Sequence, residues 1–180
     1  MSGPLEGIKV VEMGVWVAGP AAGGILADWG ADVVKIEPPG IGDPARLFQY
    51  MLGGDLPYNP VFENDNRSKR SIVADLRKPE GLEIALDLIR GADVFVSNVR
   101  PAGLARLGLG AEELCARFPR LIYTIVTGYG LEGDEADRAA YDIAAFWARS
   151  GIAHSLTAPG AHPPHQRGGM GDHNAGLAAA

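Results

Sequence analysis

A single cysteine, Cys115, in 180 residues rules out a disulfide framework within the chain and leaves a cysteine-based zinc site without its ligands. Such usage fits a reducing compartment, and a cytoplasmic setting is expected. Positive charge is also scarce. Sixteen lysines and arginines stand against 22 aspartates and glutamates, a net charge of −6. The broad positive field needed to hold nucleic acid or an anionic membrane is missing, so neither partner is expected. Met1 to Gly14 has no basic segment followed by an apolar one, the mark of a secretory leader. The longest apolar stretches are broken by Asp28 and Asp32, far short of a membrane span. Internal repeats and low-complexity segments are absent. What remains is 47% apolar and 21% charged residues, the balance of a globular chain able to bury one sizeable core.

Hydrophobic patterning along that chain alternates between strand and helix. Ile8 to Met13 is β-branched and apolar and reads as a buried strand. Pro20 to Trp29 reads as a helix with proline in its first turn and Gly30 at its end. Ala31 to Glu37 reads as a second strand, stopped by Pro38-Pro39-Gly40. This is a β-α-β unit, which implies parallel strands. Pro38 to about Asn66 reads as a long irregular stretch, a length that usually serves function. Further strands are expected at Arg70–Leu76, Ala92–Ser97 and Leu121–Thr127. Helices are expected at Pro79–Arg90, where Leu82, Ala85, Leu86 and Ile89 share a face, at Ala111–Phe118 and at Tyr141–Arg149. Ser155 to Gly171, rich in glycine, proline and histidine, reads as a loop. The expected fold is α/β: a Rossmann-like open, mostly parallel sheet with helices on both faces. The sequence stops at Gly176–Ala180 in what reads as the opening of a helix, so a truncated chain is expected.

Several residues carry potential chemistry. The first strand-to-helix turn, Gly14 to Gly24, lacks the G-x-G-x-x-G pattern, and Pro20 removes a backbone donor at the helix entrance. A nicotinamide cofactor is therefore not expected. Arg67, Lys69 and Arg70 form the densest basic cluster, and Arg100 and Arg106 flank the end of the Asp93–Ser97 strand. Together they suit a ligand with several phosphates; a solvated surface turn is an equal reading. Asp172 lies between Gly171 and Gly176 at the start of a helix. It reads either as an N-cap or as a carboxylate that a substrate reaches closely. His162 and His165 sit in a proline-bound loop rather than on one helix face, so no metal site is expected. Cys115 reads as a buried thiol, and Trp16, Trp29 and Trp147 as core or pocket-wall residues.

These segments, taken in order, resemble the family III CoA-transferases, also called the CaiB/BaiF family, which includes formyl-CoA and carnitine CoA-transferases and the α-methylacyl-CoA racemases. The pieces are Pro4–Glu12, Ala18-Gly19-Pro20, Leu26–Glu37, Gly42-Asp43-Pro44, Asn66–Asp75, Lys78–Gly81, Ala92–Pro101, Gly128-Tyr129-Gly130 and Gly171-Asp172. The resemblance implies that residues 1–180 are the N-terminal, CoA-binding part of the family's large domain. It implies an interlocked homodimer and a smaller C-terminal domain beyond this sequence. It implies transfer of CoA from an acyl-CoA thioester to a carboxylic acid, with CoA as substrate and Asp172 as nucleophile. The family's CoA contacts map onto Val15, Trp16, Val17 and Ala18, onto Arg67, Lys69, Arg70, Ser71 and Ile72, and onto Asn98, Val99 and Arg106. Arg100 and Tyr141 complete the expected set. The racemases carry a histidine where this chain has Tyr141; α-proton exchange needs two flanking acid/base groups, which favours transferase over racemase. An inactive, truncated CoA-binding fragment is the non-enzymatic alternative. Acyl specificity is expected in the loop around Phe48 to Phe62 and in the smaller domain.

Overall fold

The computed structural model describes residues 3–51 and 56–180. Its centre is a five-stranded sheet of β1 (Lys9–Met13), β2 (Asp32–Glu37), β3 (Arg70–Val73), β4 (Val94–Ser97) and β5 (Ile122–Ile125) in the order β3-β2-β1-β4-β5. Every neighbouring pair is parallel. The chain builds outward from β1 to β3, then returns to lay β4 on the other side of β1. That reversal opens a crevice between the carboxyl ends of β1 and β4, where open α/β sheets hold ligands.

Side-chain alternation along the strands divides the core into two layers. Val10, Val33 and Val96 meet Ala22, Leu26 and Ala27 of α1 (Ala18–Asp28) on one face. Val11, Ile36 and Phe95 meet Ala85 and Ile89 of α4 (Pro79–Arg90), Leu104 of α5 (Pro101–Arg106) and Leu114 of α6 (Ala111–Arg117) on the other. Helices thus cover both faces, as the sequence pattern implied. Ile89, Phe95, Leu104 and Leu114 are wholly buried, each worth about 2 kcal/mol of transfer free energy. Among the described residues no helix is long and apolar enough to cross a membrane.

Pro38 to Asn66 is not irregular throughout. It contains a 3-10 turn (Pro44–Leu47), α2 (Phe48–Met51) and α3 (Pro60–Asn66). Asp43 and Asn59 cap the first and third of these through Ala45 N and Phe62 N, each followed by proline at the first helical position. The cap-then-proline signature was present twice in the sequence. Residues 52–55, inside the loop assigned to acyl specificity, lie outside the described residues. α5, opened by Pro101, was also missed. The expected helix at Tyr141–Arg149 is a π-helical segment over Ile143–Ala148, followed by α7 (Ile152–Ser155). Cys115 is exposed rather than buried, because Leu114, not its neighbour, faces the sheet. Trp29 is likewise largely exposed.

α8 (Met170–Ala179) lies along α1. Gly176 allows this approach: a Cβ there would stand 2.7 Å from the Ala21 Cβ and 2.9 Å from the Ala18 carbonyl oxygen. α8 thereby carries residue 172 to the start of α1, beside the crevice.

Candidate active site

The turn between β1 and α1 is held open by two side chains. Asn98, just past β4, accepts from Val15 N at 2.9 Å and donates to Val15 O at 2.7 Å, stitching the two crevice loops together. Asp43 Oδ1 accepts from Trp16 N and Ala45 N, both at 2.9 Å. Trp16 is held in the left-handed region at φ 63°, a costly conformation for a bulky residue that marks functional turns. Its ring packs edge-on against Phe48, centroids 5.5 Å apart.

Beneath this turn lies a buried ion network. Lys35, 1% exposed, places Nζ 2.7 Å from Glu12 Oε1, 2.9 Å from Asp43 Oδ2 and 2.9 Å from Gly14 O. Burial pushes its ammonium down, but the two carboxylates outweigh that and its pKa rises. Lys69 pairs with Glu12 Oε2 at 2.6 Å and donates to Pro20 O and Asp65 O. Burial wins there, and its pKa falls. Gly23 leaves room for these charges, since a Cβ would stand 2.1 Å from Glu12 Oε2. Asp65, also buried, reaches His173 Nε2 at 3.0 Å, while His173 Nδ1 lies 2.7 Å from Gly169 O.

Asp172 is the third residue of α8, not its cap; the cap position is Gly169, at φ 75°. The half-buried Asp172 carboxylate accepts no hydrogen bond from a described residue. Burial drives its pKa up to about 6, with Asp142 and Asp65 adding to the rise and His173 opposing it. Asp142 also accepts from Gly171 N at 3.0 Å. A Cβ at position 171 would strike Asp142 Oδ1 and the Phe146 ring at 2.3 Å. Glycine before the aspartate is thus a steric requirement of the contact that supports it.

A cavity of about 410 Å³ brings together most of the expected set: Val15, Trp16, Val17, Ala18, Asn98, Val99, Arg100 and Tyr141 line it together with Asp172. Val15 and Val99 also border a second cavity of about 430 Å³, which runs past Glu37 and Pro38 to Ala74, Leu76 and Arg77. Glu37 there is ionised well into acid. Burial raises its pKa, but hydrogen bonds from Arg46, Ser71 and the Asp43 N–H bring it down to about 2.

The remaining expected residues are not brought to this crevice. Arg67 pairs with Asp28, and Arg70 with Asp32 at 2.7 Å. Lys69 is consumed in the buried network, Ser71 donates to Glu37 at 2.6 Å, and Ile72 packs against the core. Arg106 donates to Ala102 O on its own helix. For Arg67, Lys69 and Arg70 the reason is strand direction. Arg70 opens β3 and so sits at the amino edge of a parallel sheet, while Arg77, past its carboxyl end and paired with Asp75 at 2.8 Å, borders the second cavity. Tracking that direction would also have pointed to Arg77; Asp142, Asp43 and Gly171 carried no comparable signal.

A parallel α/β sheet with a half-buried carboxylate at its switch-point crevice, unpaired among the described residues, fits the class of ligand-binding α/β proteins. Residues 5–180 match the profile of CoA-transferase family III. The chain is 38% identical over 179 residues to (R)-2-hydroxy-4-methylpentanoate CoA-transferase of Clostridioides difficile, covering 98% of this chain and 44% of that protein. It is 46% identical over 143 residues to succinate–glutarate CoA-transferase of Agrobacterium fabrum, 77% of this chain and 36% of that one. Its fold superposes on the crystal structure of a CaiB/BaiF family protein from Brucella suis with a TM-score of 0.89 at 38% identity, covering 99% of this chain and 47% of the other. The chain belongs to CoA-transferase family III. It spans less than half the length of these relatives.

Proposed function

We propose that this chain forms the CoA-binding, nucleophile-bearing part of an acyl-CoA:carboxylate CoA-transferase. The two cavities joined at Val15 and Val99 make an elongated groove suited to an extended thioester carrier. Its nucleotide end lies toward Glu37 and Arg77, Arg100 faces the phosphates, and the thioester arrives at Asp172. The Asp172 carboxylate attacks the donor carbonyl, forming an acyl-aspartyl anhydride and releasing CoA thiolate. The thiolate attacks the aspartyl carbonyl, giving an aspartyl-CoA thioester and free donor acid. The acceptor carboxylate then displaces CoA as thiolate, and the thiolate takes the acceptor acyl group from the new anhydride, regenerating Asp172. A carboxylate is a weak nucleophile, so orientation and partial desolvation must supply the reactivity.

One observation carries this reading: a half-buried carboxylate without hydrogen-bond partners among the described residues shares a cavity with the β1–α1 turn. Relatives named as CoA-transferases for hydroxy, aryl and dicarboxylic acids support the same reaction class. Tyr141, at the histidine position of the racemases, supports transferase over racemase chemistry. An interlocked homodimer and a cytoplasmic setting are inferred from the family likeness, and the exposed Tyr141, Ile143 and Leu177 around α8 support the dimer. The test is to incubate the chain with an acyl-CoA, quench with hydroxylamine and map the product by mass spectrometry. A hydroxamate on the Asp172 peptide, absent from Asp172→Asn, is expected. CoA binding with no adduct, or an adduct on another residue, overturns the assignment.

A further inference from the structure

Asp172 borders one more cavity, of about 410 Å³. It shares Trp16, Val17 and Tyr141 with the groove but extends toward Phe48, Met51 and Ile143. Two features set its chemistry. First, its body is apolar and aromatic, and among the described residues no lysine or arginine lines it and the only carboxyls on its wall are those of Asp142 and Asp172. Second, Gln166 stands on its wall, and both amide heavy atoms of Gln166 are shut off from solvent with no hydrogen-bond partner among the described residues. An orphaned buried amide costs on the order of 1–3 kcal/mol. A ligand group entering the cavity relieves that cost after a small rotation of the glutamine side chain.

Resting on the reading of Asp172 as nucleophile, we propose that this cavity receives the acyl group and selects a bulky apolar acyl chain bearing a neutral hydrogen-bonding substituent, a hydroxyl placed against Gln166, over a dicarboxylic acyl group. A distal carboxylate entering here meets two aspartates and an aromatic wall instead of a cation, and loses its hydration without compensation. A hydroxyl can donate to Gln166 Oε1 or accept from its Nε2 and so supplies a partner the amide lacks, while the chain buries against Trp16, Phe48 and Met51.

N-acetylcysteamine thioesters, which carry the acyl group without the nucleotide, isolate this pocket. Calorimetry on the 180-residue chain compares those of 4-methylpentanoate, its 2-hydroxy and 3-hydroxy derivatives, and glutarate. At least one hydroxylated thioester is expected to bind about fivefold tighter than the parent, the yield of one neutral hydrogen bond. The glutaryl thioester is expected to bind at least about tenfold more weakly than the parent. Gln166→Met, which keeps length and volume, is expected to erase the difference in affinity between the hydroxylated thioester and the parent. A glutaryl thioester that binds as tightly as the parent, a hydroxyl preference that survives Gln166→Met, or no saturable binding of any branched thioester overturns the inference. The wild-type ordering stands whether or not the variant folds. CoA titrated into the same chain separates the two readings. CoA binding with the acyl ordering lost sinks this inference alone; the acyl ordering kept with no CoA binding and no Asp172 adduct sinks the proposed reaction alone.

Discussion

Replacing Asp172 by asparagine is expected to make the folded chain more stable near neutral pH. Burial first, then Asp142 and Asp65, raise the carboxyl from its ordinary 3.8 to about 6, against the opposing pull of His173. Between those two values the folded chain holds a proton that the unfolded chain has released. Stability therefore falls as pH rises from about 4 to about 6, and the ionised carboxylate is a burden on the fold above that window. The gap corresponds to about 3 kcal/mol. Solvent reaching a half-buried group reduces the expectation to about 1–2 kcal/mol. Asparagine matches the shape, carries no charge and forfeits no hydrogen bond from a described residue. Urea unfolding followed by circular dichroism, run on parent and variant across this range, isolates the effect as a difference at each pH. The variant is expected to gain about 1–2 kcal/mol at about pH 7.5 and essentially nothing at about pH 4. A variant less stable than its parent at neutral pH, or a difference that does not change with pH, refutes the view that this carboxylate is held under desolvation.

Two further outcomes follow from the packing around it. Lys35→Met removes the cation between Glu12 and Asp43 and leaves two carboxylates buried without it. A loss of about 3–5 kcal/mol in urea unfolding is expected, with altered Trp16 fluorescence as the β1–α1 turn loosens, and a loss under about 1 kcal/mol contradicts the network's role. Gly176→Val drives a Cβ into Ala21 and the Ala18 carbonyl. It is expected to cost about 1–3 kcal/mol and, by lifting α8 off α1, to return the Asp172 carboxyl signal in a carbon-13 NMR titration toward 3.8; an unchanged titration breaks the link between helix docking and the site.

The sheet was legible because parallel buried strands write themselves as apolar β-branched runs, and Val10-Val11, Val33-Val34 and Phe95-Val96 all face helices. The amphipathic α4 was legible for the same reason, down to Ala85 and Ile89. α5 and α3 were obscured by brevity: six and seven residues carry too little periodicity, and only a proline in the first turn betrays both. The ligand edge was half legible. The β1–α1 turn and the loop after β4 follow strands of evident direction, so Val15 to Ala18 and Asn98 to Arg100 fell where the crevice is. The partners of the basic cluster were not legible, because charge density says nothing about them. Asp28 and Asp32 lie nearly forty residues away in sequence, yet they occupy Arg67 and Arg70. Asp142 was hidden too, since its contact with Gly171 spans 29 residues.

The position of Asp172 is set by charge as well as by the packing of α8 on α1. A continuous path of contacts runs from Trp16 N to Asp43, through Lys35, Glu12 and Lys69 to Asp65, and on to His173 beside Asp172. Apolar side chains would fill the same volume with equal or better stability. They would also slide: methyl groups tolerate shifts that a 2.7 Å ion pair does not, and a shift of about 1 Å is enough to spoil a nucleophile's approach. α1 gives up side chains at Gly23 and Gly24 to accommodate this path, a cost in helix propensity of about 1 kcal/mol each. A fold that needed only a core would have placed alanine there. The glycines make sense if the turn that lines the crevice and the helix that bears Asp172 must keep a fixed separation.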